Sequence, residues 1–393
     1  MRESPDGFRL AVGLVFDRCQ QPDRSNDLFR RSSTVTDGSV PTPFLLRLWR
    51  PPLFFAFPPP KMPSPFFIIG ASRSGTTLLR LMLNAHSSVY IPGEMNYFHW
   101  MDLRTDLSSW RIPRTDDRYR HLVRTYLHDR SRLFSDDLTM LEARILETPD
   151  RTLRGPYRTL LEHGMKQAGS DVWGEKTPRN LYFVDILHEM FPDGRFLHLI
   201  RDPRAVTHSM STSPYYSNET VFNALNWRRS IRRGVQLLYQ HVPRGRYRTV
   251  RYEDLVQAPE ASVKAICSFL ELSFEREMMD FYKTSHRHIH QKIQTPSVQQ
   301  PVNQKSLDKW KTGLSEAHVR VVERLCASEM RRFGYAPVSD RTDGASLPLT
   351  FGPKLLYWKW KSWQHRHQRG YELGYPFLAR TRSALGSLVP SNS

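Results

Sequence analysis

One short stretch decides the fold, and it reads Phe66-Phe67-Ile68-Ile69-Gly70-Ala71-Ser72-Arg73-Ser74-Gly75-Thr76-Thr77. Four consecutive apolar residues that run into a glycine are typical of a buried strand. The residues that follow, Leu78, Leu79, Leu81 and Met82, have the spacing of one helix face. The stretch therefore predicts a strand, a glycine loop and a helix in that order.

Two further segments predict the same kind of unit. Residues 195–200 form an apolar strand that runs into Arg201-Asp202-Pro203-Arg204, and residues 247–252 lead towards a helix over 260–270. Short apolar strands that are each followed by a helix favour an α/β class. We expect a P-loop-like three-layer fold with a central parallel sheet flanked by helices, and a helical insertion over residues 100–170.

The chain divides into three parts by composition. Residues 1–61 mix Arg, Asp, Ser and Pro and end in three prolines, which predicts either a flexible extension or an upstream reading, with translation starting at Met62. Residues 62–340 are expected to form one folded domain. Residues 341–393 are a basic, aromatic tail, with a last helix expected in 353–378.

Length, charge and cysteine content exclude several classes. The chain has 393 residues, of which 39% are hydrophobic, so it is too apolar to stay disordered throughout. Neither a transmembrane span nor a signal peptide is readable. Its three cysteines lie far apart without metal-site spacing, which favours a reducing, cytoplasmic location. Half of the net charge of +18 lies in residues 1–61 and 341–393.

The loop from Gly70 to Thr77 has P-loop spacing, so backbone N–H groups are expected to converge on a phosphate. A nucleotide triphosphatase would carry Lys where this chain has Thr76, and the loop cation is Arg73 instead. Phosphate binding is therefore expected without γ-phosphoryl transfer. The alternative is a glycine turn that only joins strand to helix.

A second phosphate site is expected at the end of the next strand. Arg201 follows that strand directly, and Ser209 lies about two helical turns further on. The alternative is a local ion pair between Arg201 and Asp202 that caps the turn.

Together these motifs resemble the sulfotransferases that use 3′-phosphoadenosine 5′-phosphosulfate (PAPS), and among them most resemble tyrosylprotein sulfotransferases. The segment 73–77 resembles their 5′-phosphosulfate loop, and the segment 200–209 resembles their 3′-phosphate motif. The likeness extends over residues 64–335. It implies PAPS as sulfuryl donor and a hydroxyl-bearing acceptor on a peptide, a glycan or a lipid.

The resemblance also implies site residues. The donor-binding set is Arg73, Ser74, Gly75, Thr76, Thr77, Arg201, Ser209, Tyr252, Val298, Asn303 and Lys309. Glu94 occupies the place of the family's general base, although Met95 stands where tyrosylprotein enzymes have a second acid. Lys176 matches the lysine that stabilises the transition state. The alternatives are a helix-capping Glu94 and a Lys176 that pairs with Glu175 or lies on the surface.

Two departures from the family pattern concern the acceptor side. Residues 298–303 resemble the loop that covers the nucleotide in the family, and Lys309-Trp310 resembles the end of that covering loop. Family members have a serine at the start of the covering loop and an arginine four residues beyond the 3′-phosphate serine. This chain has Gln294 or Thr295 at the first position and Ser213 at the second. These departures weaken the assignment of a tyrosine acceptor more than that of PAPS.

The sequence also bears on two other functions, on a metal site and on membrane contact. A P-loop nucleotide or metabolite kinase is opposed by Thr76, and nucleic-acid binding is opposed by the dispersal of the basic residues. No metal site is expected, since the alternating His286, His288 and His290 lack further ligands. The tryptophans among basic residues in 358–369 leave open a peripheral membrane contact, against packing on the domain edge.

Overall fold

The computed structural model describes residues 64–103, 107, 110–111, 115–134, 137–284, 300–338 and 351–364. The predicted extension, residues 1–61, lies outside these residues. Within them, five parallel strands form one sheet in the order β2-β3-β1-β4-β5. The strands are Phe66–Gly70 (β1), Val89–Tyr90 (β2), Val172–Lys176 (β3), Arg195–Ile200 (β4) and Tyr247–Arg251 (β5).

Helices connect these strands and continue after the last one. They are Thr76–Asn84 (α1), Tyr97–Asp102 (α2), Asp116–Asp129 (α3), Leu138–Glu147 (α4), Arg154–Gln167 (α5), Val184–Met190 (α6), Pro203–Ser211 (α7), Thr220–His241 (α8), Tyr252–Gln257 (α9), Pro259–Leu270 (α10), Phe281–Thr284 (α11), Lys309–Gly313 (α12), Glu316–Arg332 (α13) and Phe351–Gln364 (α14). The predicted α/β class with a parallel sheet is confirmed. Sequence reasoning missed β2 and β3, because β2 has only two residues and β3 carries Gly174, Glu175 and Lys176.

The central strand β1 is apolar throughout because both of its faces are covered. Alternate side chains of a strand point to opposite faces. Phe67 and Ile69 pack into one buried cluster with the helices of the 97–190 region. Phe66 and Ile68 pack into another, with α1, α9 and α10. The predicted helices on both faces are present.

The helical insertion builds an aromatic core against the sheet. Tyr97 contacts Tyr126 and Tyr157 with ring centroids 5.0 Å apart in each pair. The Tyr97 hydroxyl donates to the Leu153 carbonyl at 2.8 Å, and the Tyr126 hydroxyl donates to the Met95 carbonyl at 3.1 Å. Aromatic rings therefore supply the buried area while their hydroxyls fix the loops around the sheet.

The sheet order brings the ends of four strands side by side. Strand β1 lies between β3 and β4, and β5 pairs with β4. The glycine loop follows β1, Lys176 ends β3, Arg201 follows β4 and Tyr252 follows β5. Ligands of open parallel sheets bind outside the carboxyl ends of the strands. The polar residues at this edge are therefore the candidate site.

The last described helix, α14, packs on α8. Leu355 and Trp358 join a buried cluster with Val221 and Leu225. The predicted helix in 353–378 is thus present as α14, and residues 365–378 lie outside the described part. None of the helices in the described ranges is both long enough and apolar enough to cross a bilayer.

Candidate active site

The glycine loop turns sharply between β1 and α1. Ser74 N–H donates to the Ala71 carbonyl at 3.2 Å, Arg73 has φ 68° and Gly75 has φ 92°. A Cβ atom on Gly75 would lie 2.2 Å from Cδ2 of Tyr252. Gly75 is therefore required both for the left-handed backbone and for the close approach of an aromatic ring. The loop leaves the first N–H groups of α1 available to an anion.

Arg201 is buried and is held by backbone carbonyls. Its Nη1 donates to the Arg73 carbonyl at 3.1 Å, and its Nη2 donates to the Ser306 carbonyl at 2.8 Å. The guanidinium lies 4.3 Å from the centroid of the Tyr252 ring, and the hydroxyls of Tyr252 and Ser306 are 2.6 Å apart. Arg201 is thus fixed between the glycine loop, Tyr252 and the segment before α12.

The alternative ion pair between Arg201 and Asp202 is wrong. Asp202 pairs instead with Arg204 at 2.6 Å and caps the start of α7. Arg204 also pairs with buried Glu323 at 2.6 Å. Because Arg204 satisfies both carboxylates, the charge of Arg201 remains available to a ligand.

The two expected phosphate motifs meet in the structure. Nε of Arg73 donates to Oγ of Ser209 at 3.0 Å, across 136 positions of sequence. Burial, together with the positive charge of Arg73, lowers the pKa of Arg201 against the opposing effect of Tyr252 and Glu253. Within the described part of the chain, the buried Ser74 Oγ and Arg201 Nε have no hydrogen-bond partner. An anionic ligand would neutralise the two arginines and give these buried polar atoms a hydrogen-bond partner.

Lys176 and Glu94 form an ion pair on the other side of the loop. The Lys176 side chain is 3% exposed and the Glu94 side chain 33% exposed. Nζ of Lys176 is also 3.5 Å from Oγ1 of Thr77 in the glycine loop. Burial lowers the pKa of Lys176, while the negative charge of Glu94 opposes this. The alternatives of a Lys176–Glu175 pair and of a surface lysine are both wrong.

Glu94 is the carboxylate of its loop that faces the site. Met95, the next residue, is 2% exposed and packs in the core. The one-residue departure from the family pattern therefore places an apolar side chain inward and leaves Glu94 beside Lys176.

Three of the expected donor residues lie apart from these contacts or outside the described residues. Lys309 starts α12 and is exposed. Asn303 caps a short 3₁₀ turn by accepting from Lys305 N–H at 3.2 Å. Val298 lies outside the described residues, as do the three alternating histidines.

The family model described as Sulfotransferase family matches residues 65–276, more than half of the chain. The chain belongs to the sulfotransferase family.

Relatives include proteins named for two kinds of acceptor. The chain is 27% identical over 289 residues to protein-tyrosine sulfotransferase 2 of Gallus gallus, covering 70% of each protein. It is 28% identical over 216 residues to carbohydrate sulfotransferase 6 of Homo sapiens, covering 44% of this chain and 50% of that one. The chain thus matches only half the length of the human relative.

A solved structure shows the same fold. The sulfotransferase domain of the Synechococcus PCC 7002 olefin synthase matches with a TM-score of 0.50 and 24% identity, covering 71% of this chain and 98% of that domain.

This sulfotransferase has a buried polar network behind Lys176 that sequence reasoning missed. Thr177 donates to Glu175 Oε1 and Asn180 donates to Glu175 Oε2, both at 2.5 Å. Asn96 N–H in turn donates to Thr177 Oγ1 at 3.2 Å. Burial raises the pKa of Glu175 to about 7, against the hydrogen bond from Thr177. The network fastens the Glu94 loop to the end of β3.

Arg80 supports the same loop from α1. It is buried, and its Nη1 donates to the Pro92 carbonyl at 2.9 Å. Burial lowers the pKa of Arg80, while the charge of Glu94 opposes this. The sequence did contain a signal for Arg80, because it stands among the apolar residues of α1, three positions after Thr77. An arginine at such a position is buried only when its guanidinium has a polar partner.

Proposed function

We propose that this sulfotransferase transfers the sulfuryl group of PAPS to a hydroxyl of an acceptor. The observation that carries the proposal is the convergence at one sheet edge of Arg73, Arg201 and Ser209 with the Glu94–Lys176 pair. Oxygen of Thr77 lies 3.5 Å from Nζ of Lys176, which joins the two halves of the site.

The donor site consists of two anion-binding parts. The glycine loop with Ser74 and the first turn of α1 suits the 5′-phosphosulfate, and Arg201 with Ser209 suits the 3′-phosphate. The unpartnered Ser74 Oγ and Arg201 Nε support this assignment within the described residues. The ring of Tyr252, beside Arg201, is proposed to lie against the nucleotide. Val298, Asn303 and Lys309 remain predictions for the covering loop and its end.

The chemistry needs a base and a cation. Bound PAPS supplies an activated sulfuryl group with a phosphate as leaving group. Glu94 accepts the proton of the acceptor hydroxyl as the hydroxyl oxygen bonds to sulfur. The bond between sulfur and the bridging oxygen breaks at the same time, and adenosine 3′,5′-bisphosphate leaves. Lys176, buried and close to Thr77, stabilises the negative charge that grows on the departing oxygen. The adjacent network of Glu175, Thr177 and Asn96 keeps Glu94 in reach of Lys176.

A peptidyl tyrosine is the acceptor that we place first. Support comes from the Gallus gallus relative, which is aligned over 70% of this chain, whereas the human carbohydrate enzyme is aligned over 44%. A carbohydrate hydroxyl is the second candidate. A lipid acceptor and a cytoplasmic location remain predictions, although the buried free thiols of Cys267 and Cys326 support a reducing compartment.

Donor binding is tested by calorimetry with adenosine 3′,5′-bisphosphate. We expect tight binding by the wild type and loss of binding by the double variant Arg73→Ala/Arg201→Ala. The matched control is Arg158→Ala/Arg320→Ala, which removes two arginines from exposed helical ion pairs. Equal affinity of the wild type and of the site variant would contradict the donor assignment.

Acceptor choice is tested with labelled PAPS offered with tyrosine peptides, oligosaccharides or a lipid extract. We expect label in the peptide and none after Glu94→Gln, while Glu162→Gln, in an exposed pair, behaves as the wild type. Transfer to oligosaccharide alone would move the acceptor to the second candidate. A kinase would instead show Mg²⁺-dependent ATP turnover, and a nucleic-acid-binding protein would show a steep salt-dependent affinity for DNA.

A further inference from the structure

Helix α14 is fastened to the domain by one of its faces. Leu355 and Trp358 pack on an apolar patch of α8 and α13. Nε1 of Trp358 donates to Oδ1 of Asn226 at 3.3 Å, and Lys354 pairs with Glu219 at 2.5 Å. The rotation of the helix about its axis is therefore fixed, which decides what its other face presents.

The outward face of α14 carries an apolar stripe. Leu356, Trp360 and Trp363 follow the i, i+4, i+7 spacing of one helix face and are 67%, 48% and 61% exposed. Tyr357 lies beside them and is also exposed. Of the large apolar residues that are exposed in the described part of the chain, half lie on this single helix. They form a patch, unlike the single exposed apolar residues that are normal on a surface.

The stripe is surrounded by positive charge. Lys359 and Lys361 lie on the same helix, and Lys361 Nζ is 4.7 Å from the Trp360 ring centroid. The sequence has no Asp or Glu between Asp343 and Glu372. A helix with an apolar stripe of Trp and Leu and flanking lysines has the composition of helices that lie in a membrane interface.

We propose that α14 binds the surface of an anionic lipid bilayer, with Leu356, Trp360 and Trp363 in the headgroup region and Lys359 and Lys361 against the phosphates. The positive charge around the stripe favours an anionic bilayer over a second copy of the chain. Two copies joined through α14 would bring two basic segments together, whereas an anionic bilayer offers the opposite charge and an apolar interior. Because Trp358 and Lys354 hold the inward face of α14 on the domain, the stripe faces away from it.

The experiment measures co-sedimentation of the full chain with phosphatidylcholine vesicles, with and without phosphatidylserine. We expect binding to the phosphatidylserine vesicles that weakens as salt is added. Leu356→Ser/Trp360→Ser is expected to weaken the partition at least about tenfold through lost apolar burial. Lys359→Gln/Lys361→Gln is expected to weaken it about 30-fold, since each cation near an anionic surface contributes about fivefold.

The control is Tyr239→Ser, which removes an aromatic side chain that is 68% exposed on α8, and it is expected to bind as the wild type. Binding of adenosine 3′,5′-bisphosphate by each variant checks that the domain has folded. Equal vesicle binding by all variants, or none by the wild type, would overturn the proposal. Self-association in sedimentation velocity that Leu356→Ser/Trp360→Ser abolishes, without vesicle binding, would assign the stripe to a second copy instead.

Discussion

The substitution Gly75→Ala tests whether the close approach of the glycine loop to Tyr252 organises the proposed donor site. The added methyl group would lie 2.2 Å from Cδ2 of Tyr252, whereas carbon atoms in contact are about 3.5–4.0 Å apart. The ring must therefore move by about 1.5 Å. Alanine at φ 92° adds backbone strain of about 1–2 kcal/mol.

The displaced ring carries Arg201 with it. The guanidinium of Arg201 lies 4.3 Å from the ring centroid, and the Tyr252 hydroxyl is 2.6 Å from Oγ of Ser306. We expect Gly75→Ala to lower the free energy of unfolding by about 2–5 kcal/mol, from strain and overpacking together. We also expect the affinity for adenosine 3′,5′-bisphosphate to fall at least about tenfold. This corresponds to about 1.4 kcal/mol of binding free energy, which is slightly less than the contribution of one hydrogen bond to a charged group.

Urea unfolding and titration calorimetry measure the two effects separately. The matched control is Gly169→Ala, because Gly169 has φ 65° and has no atom within 4 Å of an added Cβ. That variant is expected to show the backbone strain and an unchanged affinity. If Gly75→Ala binds the nucleotide as tightly as Gly169→Ala does, the reasoning about Tyr252 and Arg201 is refuted.

Three further expectations follow from the buried charged and polar side chains. Burial raises the pKa of Glu175 from 4.5 to about 7. Between these two pH values the folded protein keeps a proton that the unfolded chain releases. The free energy of unfolding should therefore fall by about 3 kcal/mol as the pH rises from about 4.5 to about 7. Urea unfolding at several pH values should show this fall in the wild type and not in Glu175→Gln, and identical pH profiles would argue against it. Arg204→Met leaves two buried carboxylates without their cation and should lower the free energy of unfolding by about 3–5 kcal/mol in chemical denaturation. The control Arg320→Met, in an exposed pair, should lower it by less than about 1 kcal/mol. Similar losses in the two variants would contradict the role of the buried pair. Thr177→Val removes both the acceptor of the Asn96 N–H bond and the donor to Glu175. Because this loosens the loop that carries Glu94, kcat should fall at least about tenfold while the affinity for adenosine 3′,5′-bisphosphate stays unchanged. An unchanged kcat, or a loss confined to nucleotide affinity, would show that Thr177 does not position Glu94.

Much of the candidate anion site could be predicted from the sequence because each half of it is local. The strand, the glycine loop and the helix follow one another within residues 66–84, so hydrophobic periodicity and glycine spacing suffice to place them. The same holds for Arg201 and Ser209, which share one strand end and the helix after it. The structure confirms these elements and brings both motifs together through the bond between Arg73 and Ser209.

The residues that hold the site residues in place could not be predicted, because nothing in the local sequence pattern identifies them. Strand β3 holds Gly174, Glu175 and Lys176 within five fully buried residues, a composition that does not predict a central strand. Glu175 and Thr177 gain their roles only because burial forces each polar group to find a partner. Arg201 gains its place from carbonyls of Arg73 and Ser306, which are 128 and 105 positions away.

The sequence by itself therefore determined the α/β class, the glycine loop and the cations at two strand ends, since these depend on neighbours along the chain. Only the tertiary structure decided that Lys176 pairs with Glu94, 82 positions away, and not with adjacent Glu175. The physical reason is the strand order: β3 lies beside β1, so the end of β3 meets the glycine loop and Glu94. Alternation along β3 then points Lys176 into that site and Glu175 into the opposite, buried face.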